Sequence, residues 1–400
     1  MDHRYGPVPA RPRGSVPGRV RSLRSYEVAI VGAGIVGCAT AYELARRGVR
    51  VVLVDRGEVS GGTTGVGEGN VLCCDKRPGP ELELARLGLE AYGEIEELLG
   101  AEAGIRRKGA LVVHAGDSWE AESRRVAGLR AAGVECALLD DAAARDSEPE
   151  LRGELIGASH FPDDLQCNPR AIARGLAREA EALGAVVKTG CAASTVAVRG
   201  GCVEGVAGLA ADAVVIAAGA WSAPLARSAG LELPVEPRKG QLVRLERRPD
   251  FLRHKVIDGS YMAAVESDDA GLAVSTVVET TLDGHVLVGS SRERRGFNLS
   301  VERSVSEALL AAAARLAPGI AELSIDGAWA GLRPWLPGGL PAIGPSAAAE
   351  GLWVATGHEG AGVAHGPITG RLVAQALCGE RPALDLAAFD PDRFSSRPGP

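Results

Sequence analysis

The stretch YEVAIVGAGIVGCATAYELARRGVRVVLVDR, Tyr26 to Arg56, decides how this chain is read. Val28 to Val31 is an apolar run long enough for a buried parallel strand and too short for a membrane span. Gly32, Gly34 and Gly37 follow at G-x-G-x-x-G spacing. Ile35, Cys38, Ala39, Tyr42 and Ala45 then recur at helical intervals until Gly48 stops the helix. A second apolar strand, Val51 to Val54, ends at Asp55. In this pattern Gly32 permits a tight turn, Gly34 lets backbone approach a pyrophosphate, and Gly37 lets helix pack on strand. The helix N-terminus offers unpaired N–H groups to the phosphates, and the Asp55 carboxylate can accept from both ribose hydroxyls. Strand, glycine turn, helix, strand and acid in register make a dinucleotide site; the motif leaves FAD and NAD both open.

Working outward, Ser60 to Asn70 (SGGTTGVGEGN) is too rich in glycine for regular structure. Its small residues suit a segment lying on a ligand, with Thr63 and Thr64 as donors to phosphate. A flexible surface loop is the alternative, and it loses ground because Val71 and Leu72 resume an apolar strand at once. Pro80 opens a helix through Leu84, Leu87, Tyr92, Ile95 and Leu98 to Gly100. Gly109 to His114 reads as a strand and Ser118 to Ala132 as an exposed helix, together an inserted domain. His114 and His160 have no partners at metal-ligand spacing and are read as structural, so no metal site is assigned.

Asn168-Pro169 is an N-cap and first-turn pair for a helix through Ile172, Leu176 and Leu183 to Gly184, with Val186-Val187 a strand behind it. Ser194 to Val198 and Gly201 to Val206 are short strands. Ala213 to Ala217 is another, ending in the small residues Ala218-Gly219-Ala220 before Trp221. From Pro234 to Gly289 the pattern is β: Gln241 to Leu245, Gly259 to Val265, Leu272 to Val278 and His285 to Val288. Ser304-Val-Ser-Glu307 forms a capping box for a helix ending near Pro318. Arg333 stands between glycine, proline and two tryptophans in Trp329 to Trp335, either a surface cation or a planar fork for a carboxylate. Gly357-His-Glu-Gly-Ala-Gly362 follows the strand Leu352 to Ala355 and precedes a helix from about Pro367, again a helix N-terminus for a negative charge.

Four hundred residues suggest two domains, and 46% apolar content supplies ample core. The net charge of −7 argues against nucleic acid, and no apolar run is long enough to span a bilayer. Eight scattered cysteines without a C-x-x-C pair exclude zinc and iron–sulfur patterns and suit a cytoplasmic protein. The basic, proline-containing arm before Tyr26 reads as a disordered leader rather than a signal peptide.

The segments VAIVGAGIVG, SGGTTGVGEGN, VVIAAGAWS, KGQLVRL, VLVGSSRERRGF, GLRPWLPGGLPAIG and ATGHEGAGVAHGP, in this order, resemble the FAD-dependent amino-acid oxidoreductases of the D-amino acid oxidase, glycine oxidase and sarcosine oxidase superfamily. Several look closest to the FAD subunits of hydroxyproline dehydrogenase, opine oxidase and hydrogen cyanide synthase. The resemblance implies an α/β fold (α+β overall): a Rossmann-like FAD-binding domain interleaved with a mixed or antiparallel-sheet substrate domain. Residues 26–80, 150–230 and 336–395 would form the first, 81–149 and 231–335 the second, and 1–25 the leader. It implies that Gly32, Gly34, Ile35, Val36, Gly37, Asp55 and Arg56 hold the ADP portion, with Thr63, Thr64, Gly65 and Asn70 along the pyrophosphate loop. Val187 would meet the adenine through its backbone. Ala218, Gly219, Trp221, Gly357, His358, Gly360, Ala361 and Gly362 complete the flavin set. Arg333 would bind the substrate carboxylate beside the flavin, and Tyr261, in a strand of the second domain, would close the pocket unless it is a core tyrosine.

Two departures stand out. Sarcosine oxidases attach flavin through a cysteine near the segment of Arg333; none lies between Cys202 and Cys378, so FAD is expected to be non-covalent. Glu68 occupies a loop position where such relatives often carry an apolar residue, adding charge near the flavin or pointing to solvent. The expected activity is oxidation of a small α-amino acid, secondary or D-configured, such as proline, hydroxyproline, glycine or sarcosine. The rivals are a hydroxy-acid dehydrogenase and an electron-passing FAD subunit of a hetero-oligomer.

Overall fold

Val28 pairs with Val51 and Val31 with Val54, so the two apolar runs of the opening stretch lie side by side and parallel. This is the seed of the first of two eight-stranded sheets in the computed structural model of the protein, which describes residues 26–115, 119–261 and 269–395. The parallel core runs Val186–Lys188, Val51–Val54, Tyr26–Val31, Leu209–Ile216 and Leu352–Thr356. A hairpin of Val196–Arg199 and Cys202–Val206 extends one end, and Ala342–Pro345 pairs antiparallel with the last strand. Strands buried on both faces explain the unbroken Val and Ile runs. The expected return to the sheet at Val186 and at Ala213 is observed.

The helices Ile35–Ala45, Pro80–Leu99, Pro169–Ala182 and Gly362–Leu377 share one core with a single face of that sheet. Asn168 caps the third as its sequence predicts, its Oδ1 accepting from the Ala171 N–H at 3.1 Å, with Pro169 in the first turn. Pro80–Leu99 turns Leu99, not Leu98, inward. The second sheet is mixed, in the order Ile325–Trp335, Glu236–Arg247, His285–Arg292, Ala273–Thr280, Lys255–Asp258, Ala110–His114, Gly157–Phe161 and Ala137–Asp140, with Lys255–Asp258 and Ala110–His114 its parallel pair. Two stretches sit across the expected boundaries at 80 and 150: Pro80–Leu99 packs into the first core, and Gly157–Phe161 belongs to the second sheet.

Other local expectations need correction. The Ser304–Glu307 capping box does not form: the helix Arg303–Leu316 has Glu302 at its N-cap with no side-chain bond, and Glu307 pairs instead with Arg303 at 2.7 Å. The glycine loop contains a single 3-10 turn, Thr63–Val66. Trp329 to Trp335 lies in a strand, because Ile325–Trp335 pairs along most of Glu236–Arg247. The last helix begins at Gly362, five residues before Pro367. The strand expected over Gly259 to Val265 lies earlier, at Lys255–Asp258, and residues 262–268 fall outside the described residues, as does the expected leader. Among the described residues no helix is long and apolar enough to cross a membrane.

Candidate active site

Val31 ends its strand at Gly32, whose φ of +109° turns the chain into the helix starting at Ile35. The turn is so tight that a Cβ on Gly37 would stand 1.8 Å from the Gly32 carbonyl oxygen. Only glycine lets the strand end and helix meet at that distance. Gly34, at the N-cap, contributes no side chain to the free N–H groups, and Ala361 leaves the N-terminus of Gly362–Leu377 equally bare. Thr64 comes across from the glycine loop, its Oγ1 accepting from the Ile35 N–H at 3.1 Å. Asp55 accepts from the Ala33 N–H at 2.7 Å through Oδ2 and from the Gly57 N–H at 2.8 Å through Oδ1, which fixes the carboxylate at the strand end.

Both helix N-termini open on one cavity of about 880 Å³, which runs from Asp55 to Arg333. It is lined on the strand-turn side by Gly32, Gly34, Ile35, Val36, Asp55 and Arg56, and along the loop by Thr63, Thr64 and Asn70. Ala218, Gly219 and Trp221 form another wall, and His358, Gly360, Ala361 and Gly362 with Tyr261 and Arg333 complete the far end. The Arg56 guanidinium lies 4.1 Å from the Trp221 ring, which stacks on Phe297 at 5.4 Å. Four expected cofactor residues do not line the cavity. Gly37 and Gly357 serve close packing: a Cβ on Gly357 would meet Leu336 at 2.0 Å. The Gly65 carbonyl accepts from Arg170 at 2.8 Å, and Val187 pairs with Leu53 in the strand at the sheet edge. Thr63 also departs from its expected role, donating to the Leu332 carbonyl at 2.6 Å and so fastening the loop to the second sheet.

Arg333 sits on the Ile325–Trp335 strand opposite Arg238. Its guanidinium lies across Gly240, where a Cβ would come within 2.2 Å of Nη1, and Nη1 donates to the Ser291 carbonyl at 2.9 Å. Three guanidinium groups gather round one carboxylate: Glu359 Oε1 is 3.6 Å from Arg238, 3.7 Å from Arg292 and 3.9 Å from Arg333. Burial and the neighbouring Arg292 draw the pKa of Arg333 down, yet a guanidinium stays charged. Burial works to raise the pKa of Glu359, and the three arginines outweigh it. Tyr261 is half-buried beyond a turn after Lys255–Asp258, not in a strand, and the Arg292 guanidinium lies 4.5 Å from its ring centroid. His358 is buried against Thr369 at 3.0 Å, its pKa pushed down to about 3 by burial, so it is neutral at the cavity wall.

A second group was only partly visible in the sequence. Glu68 lines the cavity rather than pointing to solvent, and its Oε2 accepts from Lys255 at 2.6 Å and from Asn70 at 3.0 Å. Asn70 also donates to Glu279 at 2.9 Å, and Lys255 and Lys108 lie 3.6 and 3.4 Å from the same carboxylate. Burial draws Lys108 down to about 8. Lys255 and Glu279 sit in ordinary-looking strand runs, so nothing local to either marks it. The signal for Glu68 was a lone charge inside a glycine loop, two residues before an asparagine.

The cavity therefore offers two helix N-termini for phosphates, one of them shared with Thr64 Oγ1, a carboxylate fixed at a strand end for ribose hydroxyls, and glycine backbone where a flat ring must approach closely. Those groups fit FAD. The family described as DAO, FAD dependent oxidoreductase, matches residues 27–376. The glycine oxidase of Pseudomonas aeruginosa is 32% identical over 391 residues, covering 92% of this chain and 99% of that protein. The hydrogen cyanide synthase subunit HcnC of Pseudomonas protegens is 29% identical over 424 residues, covering 94% of this chain and 98% of that protein. The crystal structure of glycine oxidase from Geobacillus kaustophilus superposes with a TM-score of 0.82 at 28% identity, covering 92% of this chain and 98% of that one. With a family match that runs from the first strand to the last helix, the chain belongs to the DAO family of FAD-dependent oxidoreductases.

Proposed function

We propose that the protein oxidises a small α-amino acid at its amine-bearing carbon, with FAD held non-covalently along the cavity. The observation that carries this reading is Arg333, a half-buried guanidinium at the far end of the cavity that the glycine turn opens. FAD supplies the hydride acceptor. The chain supplies the rest: Asp55 and the two helix N-termini hold the nucleotide, and Arg333 forks onto the substrate carboxylate so that the Cα–H faces the ring. Tyr261 shields that end from solvent. Glycine oxidase relatives support an amino-acid substrate, with glycine, sarcosine, proline and hydroxyproline the candidates. Segments 26–80, 150–230 and 336–395 carry the cofactor in this reading, and 81–149 with 231–335 shape the substrate side, apart from the helix and strand noted above. Eight free cysteines suit a reducing cytoplasm.

The test is the visible spectrum of the purified protein under anaerobic conditions, before and after addition of these amino acids in both configurations. Bleaching of the flavin band by one of them is the expected result; bleaching only by a hydroxy acid would move the reading to that substrate. Arg333→Ala should raise KM for the amino acid on the order of a hundredfold, because a desolvated carboxylate loses its partner. An unchanged KM would remove Arg333 from the site. A second reading, favoured by the HcnC relative being a subunit, passes the electrons to a partner chain. Rapid peroxide formation by the isolated chain would count against it.

A further inference from the structure

We infer that Glu68 is the residue that recognises the substrate's nitrogen and stabilises the positive charge that develops there. The inference rests on the amino-acid reading above and deepens it. Glu68 and Arg333 line the same end of one cavity, so a carboxylate and a guanidinium face a ligand that itself carries a carboxylate and an amine. The Glu68 carboxylate is built into place. Lys255 and Asn70 both bond to Oε2, and neither bonds to Oε1. Oε1 lies over Gly289, where a Cβ would stand 2.9 Å away, so the missing side chain leaves it room. The charges around it come from four strands of the second sheet: Lys255, Glu279, Arg292 and Arg333. Burial works to raise its pKa, and Lys255 with Arg333 and Arg292 overcome that and keep it ionised.

An ionised carboxylate here has a specific consequence for the reaction. The reactive substrate is the neutral amine. As the Cα–H leaves with its electron pair to the flavin, the nitrogen lone pair forms the C=N bond and the product is an iminium cation. Positive charge thus appears at nitrogen in the transition state, where a fixed carboxylate stabilises it most. The same carboxylate holds the bound amine in its protonated form to a higher pH, so it sets the acidic limb of the rate as well as the limiting rate. A carboxylate that merely braced Lys255 would do neither.

The experiment is anaerobic stopped-flow reduction of the holoenzyme by glycine, sarcosine and the prolines across pH, in wild type and Glu68→Gln, with acetate titrated as an amine-free ligand. Expected in the variant are a limiting reduction rate lower by about tenfold or more and an acidic limb moved to lower pH by about one unit. The acetate dissociation constant should stay within about twofold, because acetate uses only the Arg333 end. If Glu68→Gln does not load FAD, the double variant Glu68→Gln/Lys255→Met, which removes both charges of the pair, should show the same loss of limiting rate. A limiting rate and acidic limb both unchanged would overturn the assignment while leaving the amino-acid reading intact. A wild-type flavin that no amine reduces would overturn both.

Discussion

Gly240 shows how one missing methyl group positions a charged side chain. A Cβ there would lie 2.2 to 2.6 Å from the Arg333 guanidinium atoms, and those atoms are the movable tip of a long side chain. Gly240→Ala should therefore displace the guanidinium and leave the strand in place. We expect KM for the amino acid to rise roughly tenfold or more, since a misplacement near 1 Å is costly, with thermal stability little changed. A KM equal to wild type would show that Arg333 has another resting place. At this scale the sequence marked Arg333 because glycine, proline and tryptophans surround it. It left Arg292 and Arg238 unmarked, because they reach the same carboxylate only through strand pairing that brings distant segments together. Lys255 and Glu279 were invisible for the same reason.

Pro367 lies inside the last helix, so the Val363 carbonyl four residues earlier has no N–H to accept. Tyr92, from the Pro80–Leu99 helix, fills that position: its hydroxyl donates to Val363 at 2.8 Å. The hydroxyl is buried with no alternative partner of comparable geometry, so Tyr92→Phe should cost about 1–3 kcal/mol in urea unfolding. No loss of stability would mean water replaces it. The same carbonyl explains why the sequence reading placed the helix start too late. Proline usually stands in the first turn, where its missing N–H is harmless, and only a tyrosine far away in sequence makes the later position tolerable. The strand Ile325–Trp335 was hidden by its glycines and proline in the same way; pairing along Glu236–Arg247 imposes what its composition does not. Elements whose cause is local, such as the glycine turn, the Asn168 cap and the parallel Val runs, could be read directly.

The two sheets meet around the cavity, with the loop Ser60 to Asn70 fastened to the second sheet through Thr63 and through Trp329, whose Nε1 donates to Val66 at 2.9 Å. A ligand filling that cavity binds the folded state alone, so stripping FAD should lower the melting temperature by several degrees. At a hundredfold excess over its dissociation constant, the cofactor contributes about 2.7 kcal/mol. Scanning calorimetry of holo and stripped protein checks this, and identical transitions would mean that the cavity walls stand unaided.

The central pairing has a further consequence during synthesis. Tyr26–Val31 has as its neighbours Val51–Val54 and Leu209–Ile216, and the latter in turn takes Leu352–Thr356. On the ribosome the first strand emerges with only one of its flanking partners and waits on the order of ten seconds or more for the second, at ordinary elongation rates. The last of the parallel strands, Leu352–Thr356, is made later still, followed by the helix Gly362–Leu377 whose N-terminus opens on the cavity. Until then the nascent chain holds an unfinished sheet with an open valine-rich edge, a species that chaperones shield. Because the cavity takes lining residues from both the opening glycine turn and Gly362 to Ala364, its FAD site is expected to be complete only after that last helix has been made.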